Sequence, residues 1–131
     1  MLRTLGLALL IAVVCHAQTN SAEDIHRGSY LFHSCQAAIR IMDLPTNAGT
    51  EEDLEDSRFC QGYLSGFVDL AQLIPSSSIC VGEDATAGTL FRVYVAYMEK
   101  NPKLMDASMI HGVILALRDA YPCPAIPRPQ K

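Results

Sequence analysis

The reactive side chains of this 131-residue sequence are few: five cysteines, four histidines, a run of three serines and one dense patch of carboxylates. A zinc site would need cysteines or histidines at ligand spacing, and no C-x-x-C or H-x-x-x-H pair occurs. His26 and His33 lie seven apart, two helical turns, so they share a face but miss the usual one-turn spacing of a metal pair. His111 stands alone beside Ile110. Ser76, Ser77 and Ser78 follow Pro75 and lack the G-x-S-x-G frame of a nucleophile elbow. No metal and no cofactor is expected, and the sequence reads as a non-enzyme.

The cysteines take their meaning from the N-terminus. Arg3 gives a positive start, Leu5 to Val14 is an apolar run of ten, and "CHA" ends in the small residue Ala17. This is the pattern of a secretory signal peptide, expected over residues 1–17. The apolar run is far shorter than the roughly 20 residues of a membrane-spanning helix. Cys15 does not make it a lipoprotein signal, because Val14 stands where a small residue is wanted. The expected product is a periplasmic domain, residues 18–124, with a proline-rich tail at 125–131. Cys35, Cys60, Cys80 and Cys123 remain in it, an even set in an oxidising compartment, which implies two disulfides rather than a thiolate nucleophile. The formal charge of −4 and the lack of a basic stripe argue against nucleic acid and anionic membrane as partners.

The elements that position these residues are all helical. Ser21 and Asp24 form a capping pattern, and Ile25, Gly28, Leu31, Cys35, Ala38 and Met42 recur at helical spacing, giving a first helix over about 23–42. Thr50 caps a second, running to about Ile74 before Pro75. Thr86 caps a third through Leu90, Tyr94 and Met98, stopped by Asn101-Pro102; a fourth follows over about 103–120. Apolar residues spread most widely around the third and fourth, which are expected to be the most buried. The fold class is all-α, a small helical bundle of about four main helices.

Helical geometry selects the cysteine pairing. Cys35 lies about seven residues before the first turn and Cys60 about eight after it, so in an antiparallel hairpin they stand at one height. Cys80 precedes the third helix and Cys123 follows the fourth, so they meet at the open end of the second hairpin. The expected bridges are Cys35–Cys60 and Cys80–Cys123.

Two further features belong to the second helix. "FCQGYLSGFVDL" keeps Gly62 and Gly66 one turn apart, although glycine costs a helix interior roughly 1 kcal/mol relative to alanine. With Tyr63 beside them, the expected explanation is close packing against another helix. "TEEDLEDS" places Glu51, Glu52, Asp53, Glu55 and Asp56 in six positions, a negative field able to steer a basic partner as well as a well-capped helix start.

The stretch "CQGYLSGFVD" resembles a signature of the Rap/Tai family of type VI secretion immunity proteins. "CVGEDATAGTL", "VYVAYMEKNP" and "ILALRDAYPCP" follow in that family's order, so the likeness spans about residues 28–124. Gly82 stands where the family usually has proline and Thr89 where it often has glutamine, which puts the detail of the loop entering the third helix outside the pattern. The resemblance implies a small periplasmic inhibitor that binds a peptidoglycan-cleaving amidase toxin, a cysteine–histidine peptidase, and occludes its active site. Some members are dimers, so a homodimer is within what it implies. The alternative from the residues alone is a periplasmic chaperone of the acid-stress Hde type or a small binding protein with no toxin partner.

Overall fold

The computed structural model describes residues 25–44, 49–74 and 77–124. Four helices follow in order: α1 Gly28–Asp43, α2 Glu51–Leu73, α3 Ala87–Lys100 and α4 Met109–Ala120. A 3-10 turn, Pro102–Met105, joins the last two. Among the described residues there is no strand, only two isolated antiparallel bridges, Arg27 with Ser108 and Ile79 with Pro122. The expected signal peptide and tail, and the Ser21–Asp24 cap, lie outside the described residues.

α1 lies at the centre of the bundle. It packs on α2, α3, α4 and the 3-10 turn. Leu31, Cys35 and Ala38 from α1 meet Cys60 and Leu64 from α2, Tyr94 and Met98 from α3, and Val113 and Leu117 from α4 in one core. The third and fourth helices, expected to be the most buried, share that place with α1, which buries a similar fraction of its residues. α1 buries Leu31, Cys35, Ala37 and Ala38 completely because every other element covers it. The apolar faces of α3 and α4 are wide because each meets both α1 and the other.

Both ends of this arrangement depend on chain pairing that periodicity does not reveal. α1 begins at Gly28, five residues later than expected, and Arg27 caps it without a side-chain hydrogen bond. The Gly28 N–H instead donates to the carbonyl of Ala107 at 2.7 Å, and the Met109 N–H donates to the carbonyl of His26 at 2.8 Å. Residues 106–108 leave the helical path to make this pairing. The expected helix over 103–120 is for that reason one 3-10 turn and then a shorter α4. Gly28 is obligatory here, since a Cβ would collide with the carbonyl oxygen of Leu104.

The expected disulfides are present. Cys35–Cys60 ties α1 to α2 with Cα atoms 5.0 Å apart, and Cys80–Cys123 ties the α2–α3 loop to the chain beyond α4 at 4.9 Å. The Cys80 N–H also donates to the Tyr121 carbonyl at 2.9 Å. Cys35 and Cys60 have no exposed surface, whereas Cys80 is exposed.

α2 begins as its sequence demands. The Thr50 hydroxyl accepts from the Asp53 N–H, while the Asp53 carboxylate accepts from the Thr50 N–H, closing a reciprocal cap. Arg40 of α1 pairs with the same carboxylate at 2.6 Å. That hydrogen bond, first, and those from Thr50 hold the Asp53 carboxyl below its usual 3.8. A depressed carboxyl favours the fold while it is ionised, so its contribution is present above pH about 4 and is lost as pH falls below that. Asp53→Asn is expected to lower stability at neutral pH and to flatten the acid limb of a stability–pH curve. An acid limb as steep as that of the unsubstituted protein would assign the effect to other carboxylates.

Candidate binding surface

Among the described residues, no group of three histidines, cysteines or acids lies close enough to hold a metal ion. His26, His33 and His111 are exposed and separate, and His33 sits edge-on to the Phe32 ring at 5.5 Å. Ser77 is spent on its own loop, its hydroxyl hydrogen-bonding Ile79. Two concave places among the described residues are open to solvent. One of about 410 Å³ runs between α3 and α4 past Tyr97, Lys100, Asn101 and Asp119. Another of about 540 Å³ lies beside Cys80–Cys123, between Ile74, Ile79 and Val81. Such shapes can receive a side chain of a partner.

The carboxylate patch divides by helical phase. Asp53 turns toward α1 and Arg40, and Asp56 accepts from the hydroxyl of buried Ser34 at 3.1 Å. These two hold the α1–α2 hairpin together. Glu51, Glu52 and Glu55 point outward and are exposed. The five acids therefore serve two purposes, with three of them left for solvent or a partner.

The packing expected at Gly62 and Gly66 is corrected. A Cβ on either glycine would meet nothing within 4 Å. No helix of the chain approaches them, because Cys60, Leu64, Val68 and Ala71 form the buried face and the glycines lie opposite. Tyr63, on the intermediate edge, does pack against the core, and its ring stacks on Phe59 at 6.0 Å. Burial there pushes its hydroxyl pKa up. Tyr30 of α1 completes the row, meeting the Phe59 ring edge-on at 5.0 Å.

Several surface residues were missed by pattern reading. Leu70, Leu73 and Ile74 are exposed, Leu73 by 80%. The signal was available: at 3.6 residues per turn, Glu55, Gly62, Gly66 and Leu73 fall within about 40° of one another, opposite Leu64. α2 also carries six carboxylates against one guanidinium, a net −5, where the whole chain carries −4. The net negative charge of the protein thus resides on this one helix.

The described residues thus form a helical, doubly bridged domain with its excess negative charge on α2. No curated protein and no solved structure matches the chain. The family model for Rap1a immunity proteins matches residues 27–123, which takes in all four helices and all four bridged cysteines. The chain belongs to the Rap1a immunity protein family, whose members protect against a toxin.

Proposed function

We propose that this chain is the exported antidote to a peptidoglycan-cleaving cysteine–histidine amidase, which it neutralises in the periplasm by covering the active-site cleft. Family membership carries the reading. Three observations support its finer parts. The two disulfides suit an oxidising compartment, reached through the signal expected at residues 1–17. The bridged bundle presents a rigid body that loses little freedom on binding. The outward acids Glu51, Glu52 and Glu55 set a negative field at one end of α2, suited to drawing in a basic cleft. Inhibition requires no group on this chain to react; it requires only that the chain occupy the space a peptidoglycan stem would enter.

The test is rescue. Amidase toxins of the type VI class, directed to the periplasm of a bacterial host, lyse the cells. Co-production of this chain with its own N-terminus restores growth against one of them, and a form lacking residues 1–17 does not. Lysis undiminished across the whole panel sinks the reading.

A further inference from the structure

The outward face of α2 is continuous and has three zones. Glu51, Glu52 and Glu55 occupy its first turns, Gly62 and Gly66 its middle, and Leu70 and Leu73 its last turns, with exposed Arg58 and Asp69 along one edge. From Glu55 to Leu73 the strip is about 27 Å long at helical rise. No other element of the described chain covers it. Its leucines are 55% and 80% exposed although large apolar side chains at the end of a helix gain by burial. Its glycines weaken the helix and meet no neighbour that would be excluded by a side chain. Each of these features is unfavourable in the isolated chain, and each becomes favourable when a second surface is laid along the strip. Leu70 and Leu73 then lose water, the bared backbone at Gly62 and Gly66 admits a close approach, and the half-buried Tyr63 flanks the seam as an aromatic anchor.

We infer that this outward face of α2 is the surface that seats in the toxin, with Gly62 and Gly66 forming a saddle for a ridge beside its cleft and Leu70 and Leu73 entering an apolar recess. The inference rests on the toxin-binding reading above and assigns that binding to one face. Charge selects the occupant. Glu51, Glu52 and Glu55 make the first turns of the strip acidic, so the surface that complements it is basic. A second copy laid parallel along the strip would bring these acids together, which like charge disfavours.

The experiment measures binding by interferometry to a panel of purified cysteine–histidine peptidoglycan amidases whose nucleophilic cysteines are replaced by alanine. The unsubstituted protein binds at least one of them. Against that toxin, Gly62→Leu with Gly66→Leu weakens affinity by at least 100-fold, and Leu73→Asp by at least tenfold. The same glycine substitutions raise the thermal midpoint by several degrees, since they add helix propensity at positions that touch nothing; a loss of binding caused by misfolding would lower it. Leu115→Asp, exposed on α4, leaves affinity unchanged. Binding by the unsubstituted protein with affinity unmoved in the α2 variants overturns this inference and leaves the toxin reading standing. Absence of binding to every member of the panel overturns both. A dimer of the protein alone that the glycine substitutions dissociate also overturns it, because the face then belongs to a second copy.

Discussion

Replacing Cys35 and Cys60 together with alanine is expected to lower folding stability by about 3.5 kcal/mol through the entropy returned to a 25-residue loop of the unfolded chain. Loss of two fully buried sulfurs from the α1–α2 contact adds to that figure. Domains of this size hold roughly 5–15 kcal/mol in total, so the variant is near its limit at physiological temperature. Chemical denaturation measures the loss. The second bridge behaves differently under reduction. Thiol–disulfide exchange requires access to sulfur, and Cys80 is exposed where Cys35 and Cys60 are sealed. A mild thiol reductant therefore opens Cys80–Cys123 first, while Cys35–Cys60 survives until the bundle unfolds. Alkylation and mass mapping along a reductant series should find two labelled cysteines before four. Simultaneous labelling of all four contradicts this order.

Tyr94→Ala is expected to cost about 3–5 kcal/mol, and Tyr94→Phe only about 1 kcal/mol. Tyr94 has no exposed surface, and its hydroxyl donates to the Gly28 carbonyl at 3.3 Å. Its ring lies against Gly112 of α4, where a Cβ would press on it. One side chain thus fastens α3 to the first turn of α1 and to α4. Burial pushes its hydroxyl pKa far upward, so the group stays a donor across the accessible range. The alanine variant loses ring volume and bond together; the phenylalanine variant loses only the bond. Equal losses in the two variants, read by thermal or denaturant unfolding, would mean that the hydrogen bond rather than the ring is the main tie.

The helices and their bridges were legible because they rest on local rules. Thr50 and Thr86 cap by side chains three residues from their partners, and the height of Cys35 and Cys60 follows from helical rise alone. The start of α1 and the break before α4 were not legible. They depend on His26–Gly28 meeting Ala107–Met109, a contact between distant segments that no periodicity encodes. The site was half legible. The glycines and acids were found by type, but close packing was the wrong role for Gly62 and Gly66. That error came from following spacing without phase: the four-residue step fits a buried seam and an open one equally, and only the opposite placement of Cys60 and Leu64 decides between them.

The knot between Arg27 and Ser108 joins positions some eighty residues apart. The first turn of α1 thus acquires its backbone partner only when nearly all of the domain is present, and a growing chain cannot complete its front end alone. Contacts of such long range slow folding, because the intervening chain must be closed first.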